Sequence, residues 1–214
     1  HVGLFGHVGR YSFYPVKHIT TCEGGMIVSN NKETVDRIAK FRAFSVDRTH
    51  SERKVPGIYD VADIGMNYRM SEMQGALGRT QLKKLPEILK RRKQNFDALK
   101  AGLEEIGDIR VIDDTNPSYT NTYYCLIAVL EGDLAAKRDD IILALQAMGV
   151  GTSVYYPHPV SRLTAYKKRY GYTPGTFMNA ETISDCSIAL PVGPHLGPDD
   201  MADIASALKT VIEI

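Results

Sequence analysis

The spacing of apolar positions changes repeatedly along the chain, and each change marks an element. Tyr11-Ser-Phe-Tyr14 is a short β-prone run whose end Pro15 holds extended. A loop from Lys17 to Gly25 follows and closes on the turn pair Gly24-Gly25. Met26-Ile-Val-Ser29 reads as a buried strand ended by Asn30-Asn31. Val35, Ile38, Ala39 and Phe41 then fall on one face of a helix over about Lys32 to Phe44. Residues 45–66 are polar, carry Pro56 and Gly57 and keep no period; an irregular stretch of that length is usually functional or mobile. Ser71-x-x-Gln74 has the spacing of a capping box at the head of a long helical pattern. Pro86 is expected to kink or divide that pattern, which resumes through Leu99 and Leu103 and stops near Gly107.

Types then alternate. Strands are predicted at Ile109–Ile112 and Thr122–Leu130, a helix at Leu134–Met148, and a strand at Thr152–Tyr156. Helical pieces over Leu163–Arg169 and Thr176–Cys186 lead to the apolar run Ile188–Val192. A last helix spans Pro198–Ile214, with Pro198 in a favoured first-turn position. This order predicts a small α/β domain over 108–214, a connecting helical region over 71–107, and in residues 1–70 the end of a larger domain. Two strands cannot make a stable sheet alone, and the chain opens at His1 with neither methionine nor secretory signal.

Composition narrows the function classes. Of the 214 residues 43% are hydrophobic and 24% charged, the profile of a globular chain, and at this length roughly 70% of the unfolded surface can be buried. Lys and Arg total 26 against 25 Asp and Glu, so no global field draws in nucleic acid or an anionic membrane. The longest apolar run, Tyr123 to Leu130, is far below the roughly 18 residues of a membrane span. Cys22, Cys125 and Cys186 cannot all pair and form no C-x-x-C, which fits a reducing cytoplasm. The histidines lack metal-ligand spacing, so no metal is expected. The basic stretch Lys83 to Lys93 is interrupted by helix-core residues and reads as a solvated face.

The candidate chemistry begins at Lys17, just past a strand end. A lone loop lysine is ordinarily a solvated charge. Here apolar and aromatic residues precede it, and desolvation moves a lysine toward the free amine that Schiff-base chemistry uses. Ser12, five residues upstream, offers a hydroxyl to a phosphate oxygen or, more simply, to the backbone. Asn67 by itself is a polar residue ahead of a helix, and Arg69 a surface cation with its stem laid on apolar neighbours.

The segment Ser12-Phe-Tyr-Pro-Val-Lys17-His-Ile-Thr-Thr-Cys-Glu23-Gly24-Gly25 resembles the active-site signature of the DegT/DnrJ/EryC1/StrS family, fold-type I sugar aminotransferases dependent on pyridoxal 5'-phosphate (PLP). Asp63-Ile-Gly-Met-Asn67-Tyr-Arg69-Met-Ser71-Glu-Met-Gln74 is similar to the family's second signature. Ser153-Val-Tyr-Tyr-Pro-His158-Pro matches a third, weaker one. The resemblance runs from residue 2 onward and implies the end of the large fold-type I domain followed by a small α/β domain. It implies that Lys17 carries PLP as a Schiff base and later shuttles a proton, and that Ser12 binds the cofactor phosphate. Asn67 is implied to reach the phosphate of a neighbouring subunit, which makes a homodimer with shared active sites. Arg69 is implied to meet an anionic group of a nucleotide diphosphate, and Tyr156 and His158 to touch substrate. The expected reaction moves an amino group, with glutamate as donor, to a keto-deoxy sugar on a nucleotide, in glycan or polysaccharide synthesis.

Sugar dehydratases of the same family carry histidine where this chain has Lys17, so the aminotransferase reading is preferred. The chain departs from the family pattern at His7, where an acidic residue is usual, and at Ser161, where a histidine is common. The upstream half of a full-length member, with its aspartate for the pyridinium nitrogen, has no counterpart here. The alternative to an enzyme fragment is a truncated, non-catalytic binding or regulatory module of the same fold.

Overall fold

Gly9–Ser12 (β1) and Gly25–Val28 (β2) pair antiparallel, with Arg10 opposite Ile27 and Tyr11 opposite Met26. They belong to the first of two units, His1–Leu85 and Pro86–Ile214, in a computed structural model that describes residues 1–113 and 116–213. β1 lies two residues upstream of the run expected from sequence. At Phe13 the backbone has already turned its hydrogen bonds onto the following loop, donating to Gly24 O (2.9 Å) and accepting from Thr21 N–H (3.0 Å). The expectation of a buried strand at Met26–Ser29 fails in this unit. Met26 and Ile27 are 48% and 49% exposed, because a two-stranded sheet brings no second layer to cover them.

Asn31 caps Lys32–Phe41 (α1), its Oδ1 accepting from Thr34 N–H at 2.9 Å. The helix stops at Phe41, the last residue of its apolar pattern and three residues before the expected end, and Phe44 and Ser45 adopt φ of 65° and 54°, outside the helical region. The chain leaving α1 is clipped to residues 66–68: Met66 N–H donates to Phe41 O (2.7 Å), Phe44 N–H to Met66 O (3.0 Å) and Tyr68 N–H to Arg42 O (2.8 Å). Gly65 is required there, because a Cβ on it would lie 2.4 Å from Ser45 N. The aperiodic 45–66 stretch is therefore an ordered loop, with a bridge between Val46 and Val61.

Glu72–Leu103 (α2) begins with the expected capping box, Ser71 N–H donating to Gln74 Oε1 (2.9 Å) and Gln74 N–H to Ser71 Oγ (3.3 Å). Pro86 does not divide it. The helix runs unbroken through the proline, which costs one i→i−4 hydrogen bond, while Phe96, Leu99 and Leu103 bury its second half in the core of the second unit.

That core is built on the antiparallel sheet Ile109–Val111 (β3), Leu126–Leu130 (β4) and Ser187–Leu190 (β5), in the order β3-β4-β5. Leu126 faces Leu190 and Ala128 faces Ile188. All four β5 residues are buried, so both faces of this strand are covered. Arg138–Ala147 (α3) supplies Ile141 and Leu145, and Pro198–Ile212 (α6) supplies Met201, Ile204 and Leu208. Thr164–Tyr170 (α4) and Met178–Cys186 (α5) complete the elements. Asn95, 3% exposed, ties α2 to the loop before α6 by donating to Gly193 O (2.8 Å) and Leu196 O (3.1 Å).

Further boundaries differ from the sequence reading in the second unit. The 134–148 helix is a 3-10 turn over Gly132–Lys137 followed by α3. Residues 122–125 do not join β4, because Tyr123 has φ 50° and the Tyr123 and Tyr124 carbonyls accept from the Arg92 guanidinium (3.3 and 2.8 Å). Residues 152–156 reach β5 at a single bridge, Ser153 with Ala189, before Pro157 and Pro159 remove the donors that a strand needs. Pro198 stands at the start of α6 as expected; the last position of that expected helix, 214, lies outside the described residues.

Candidate active site

The loop that carries Lys17 is shaped by short-range polar contacts. Pro15 and Val16 turn the chain so that Lys17 N–H donates to Tyr14 O (3.0 Å), while Ser12 Oγ accepts from Tyr14 N–H (3.3 Å). Ser12 and Lys17 are thus joined through Tyr14. The Ser12 hydroxyl proton is not used in that bond and stays available to an acceptor. Lys17 is half-buried and Ser12 exposed. The far side of the loop is locked by two threonines. Thr20 Oγ1 donates to Phe13 O (2.9 Å) and accepts from Cys22 N–H (2.9 Å), and Thr21 Oγ1 donates to Glu23 O (2.7 Å).

Glu23 O also accepts from the Gln74 side-chain amide (2.7 Å), which fastens the loop to the first turn of α2. Gly24 closes it with φ 147°, and a Cβ there would sit 2.5 Å from Thr21 Oγ1. Thr21, 2% exposed, and Gln74 were not singled out from sequence as positioning residues. Their signal is the polar Thr-Thr pair ahead of the glycine turn, and a capping glutamine whose amide nitrogen is left over after its oxygen caps the helix.

Asn67 and Arg69 meet in the same unit. Arg69 Nε donates to Asn67 Oδ1 (3.3 Å), and the Arg69 guanidinium lies 5.1 Å from the Phe44 ring centroid. Asn67 is also bridged to Ala43, so both exposed side chains rise from a backbone fixed by the end of α1. Beside them Phe44, Val46, Tyr59, Val61 and residues 62–65 line a cavity of about 740 Å³.

Tyr156 and His158 belong to the other unit and are exposed. Tyr156 ends a line of rings, 5.4 Å from Tyr155, which lies 5.8 Å from Tyr124. Burial and a hydrogen bond with Tyr155 push the Tyr124 hydroxyl up to about 12, and burial pushes the Cys125 thiol up to about 11. The nearby Arg92 guanidinium, 9% exposed, is lowered from its ordinary value by burial and bonded to backbone carbonyls. Among the described residues no group of three His, Cys, Asp or Glu is placed to hold a metal ion, and no helix is long and apolar enough to cross a membrane.

Residues 1–209 match the model of the DegT/DnrJ/EryC1/StrS aminotransferase family. The chain belongs to this family. It is 30% identical to the uncharacterised protein MJ1066 of Methanocaldococcus jannaschii, over 99% of this chain and 55% of that protein. It is 29% identical to the UDP-4-amino-4,6-dideoxy-N-acetyl-beta-L-altrosamine transaminase of Campylobacter jejuni, over 99% and 54%. The chain spans about half the length of the curated relatives it matches.

Among solved structures it is similar to the Helicobacter pylori aminotransferase PseC, with TM-score 0.87, 24% identity and coverage of 99% of this chain and 55% of that one. It is also similar to S. venezuelae DesV, solved in complex with a ketimine intermediate, with TM-score 0.81, 27% identity and coverage of 98% and 53%. The architecture, mixed α/β with small sheets, matches about half of a fold-type I sugar aminotransferase.

Proposed function

We propose that this chain carries the lysine-bearing part of a PLP-dependent aminotransferase acting on a nucleotide-linked keto-deoxy sugar, with glutamate as donor, in polysaccharide or glycan biosynthesis. The observation that carries the reading is the Lys17 loop, where the lysine and the Ser12 hydroxyl share one loop locked by Thr20, Thr21 and the Gln74 amide. Its chemistry fits the cofactor: an amine for an aldehyde and a hydroxyl proton for a phosphate oxygen. PLP, when bound, withdraws electrons from the carbon that loses its proton.

Lys17 holds the cofactor through Nζ and, once released, moves the proton at Nζ. Ser12 donates to the phosphate. The Asn67 amide hydrogens, outside its bond to Arg69, reach a phosphate in a second copy of the chain, so the working form is a homodimer with shared sites. Arg69, held over Phe44, offers its remaining N–H groups to the substrate diphosphate, and Tyr156 and His158 contact the substrate. The relatives named for transamination of a UDP-linked amino sugar support the substrate class.

The test is intact and peptide mass spectrometry after incubation with PLP and borohydride reduction. One pyridoxyl group on Lys17, absent from Lys17→Ala, is the expected result. An unmodified Lys17 overturns the transamination reading and leaves a non-catalytic binding module of the same fold.

A further inference from the structure

Arg92 lies in the second half of α2 and is 9% exposed, yet among the described residues no carboxylate pairs with its guanidinium. A charge taken out of water without a counter-charge is costly. Its compensation here is backbone: Nη1 donates to the Tyr123 and Tyr124 carbonyls (3.3 and 2.8 Å). These bonds fall where the chain needs holding. Tyr123 has φ 50°, a conformation that a bulky residue keeps only when its surroundings impose it. The Phe96 ring, one turn further along α2, backs Tyr123 at 5.0 Å.

The clamp decides where the Tyr124 ring stands. That ring lies 5.9 Å from the guanidinium and 5.8 Å from the ring of Tyr155, with which Tyr124 shares a hydrogen bond. Tyr155 lies 5.4 Å from Tyr156 in turn. The segment that bears these two tyrosines and His158 has little other support. It meets β5 at the Ser153–Ala189 bridge alone, and Pro157 and Pro159 have no N–H with which to extend the pairing. Ring pairs at these separations attract beyond the area they bury. The exposed Tyr156 and His158 therefore inherit their placement from Tyr124, and Tyr124 inherits its own from Arg92.

We propose that Arg92 is a positioning residue for the sugar substrate: by clamping the Tyr123 and Tyr124 carbonyls it sets the ring line that presents Tyr156 and His158. The inference rests on the substrate contacts proposed above for those two residues. Arg92 itself stays buried and acts only through the rings.

Nitration of Tyr155 by tetranitromethane, read by peptide mass spectrometry, reports whether the ring line is closed. Half-buried Tyr155 is expected to react at least about threefold faster in Arg92→Met and in Tyr124→Leu, because only its segment opens. Amide exchange over β4 and β5 is expected to stay at the wild-type rate. Should Arg92→Met not fold, Arg92→Lys reads the same link, since it keeps the charge and displaces the donor. Unchanged nitration in Tyr124→Leu overturns the proposal, and so does exchange over β4 and β5 that rises as much as nitration does in the Arg92 variant. In turnover of the holoenzyme with glutamate and a UDP-linked 4-keto-6-deoxy sugar, the two half-reactions report separately. The Arg92 variant is expected to lower kcat/KM for the sugar at least about tenfold and to leave that for glutamate within about twofold. Equal loss in both overturns the proposal, because a merely structural residue does that. No turnover by the wild type, with Tyr155 selectively released in the variants, sinks the transamination reading alone. A pyridoxyl adduct on Lys17, with Tyr155 indifferent to Arg92 and Tyr124, sinks this inference alone.

Discussion

Gly24 shows how much of the candidate site rests on one residue without chemistry of its own. Its φ of 147° is open to glycine and costly to other residues, and a Cβ would press on the Thr21 hydroxyl that donates to Glu23 O. Gly24→Ala is expected to cost about 2 kcal/mol through backbone strain and that contact. It should also reduce the PLP adduct at Lys17, because Gly24 O is the acceptor that closes the loop at Phe13. Urea unfolding and peptide mass spectrometry of the same variant check both effects; unchanged stability with a full adduct would show that the loop tolerates a side chain there. At this scale the sequence was informative where a residue's own geometry decides. The Gly24-Gly25 turn, the Ser71 and Gln74 capping box and Pro198 at a helix start are all read from local rules. Arg92 was not legible in this way, since its partners are the carbonyls of residues 31 and 32 positions later in the chain.

At the scale of elements, the difficulty lies in how neighbours modify local preference. Pro86 predicts a kink or a division, and α2 continues undivided, because burial of Phe96, Leu99 and Leu103 offsets the cost of about 3 kcal/mol of a helix-interior proline. The β-prone residues 152–156 do the opposite and join β5 at only one bridge. Arg162, just ahead of α4, is latched to Glu181 and Asp185 of α5, and that has a pH consequence. Glu181 is held below the ordinary carboxylate value of 4.5, first by the hydrogen bond from Arg162 and then by Gly175 N–H. A carboxylate depressed in the folded state contributes stability that is present above its unfolded pKa and lost as pH falls through its folded one. The wild type is therefore expected to melt above Glu181→Gln at pH 7, with the gap narrowing as pH drops below about 4.5. Thermal unfolding from pH 7 to pH 3 measures this. A gap that stays constant would mean that Glu181 is not held ionised by the latch.

For the whole molecule, the distribution of burial is uneven. Every hydrophobic residue that is fully buried among the described ones lies at Phe96 or later. The first unit is held by backbone and side-chain hydrogen bonds around Thr21, Ser45 and Gly65, with Met26 and Ile27 open. Local opening is governed by the apolar contacts that must be broken. Hydrogen exchange is therefore expected to be slow in β4, β5, α6 and the second half of α2, and faster by orders of magnitude over β1 and β2. Mass-spectrometric exchange of the whole chain reads this directly. Strong protection of β1 and β2 would show that another surface covers them, as the proposed homodimer allows.

By itself the sequence determined the order of elements, their main capping and turn residues, and the family, because these follow from local periodicity and from two long motifs read in place. It also singled out Lys17, Ser12, Asn67 and Arg69, since the motifs name residue types at fixed spacing. Only the tertiary structure decided that Met26 and Ile27 stand open, that α2 runs on through its proline, and that residues 152–156 touch the sheet at one bridge only. The same holds for the Thr20, Thr21 and Gln74 clamps on the Lys17 loop and for the latch of Arg162 with Glu181 and Asp185. Each of these depends on which distant group arrives to cover a surface or accept a hydrogen bond, and periodicity along a chain carries no record of that partner.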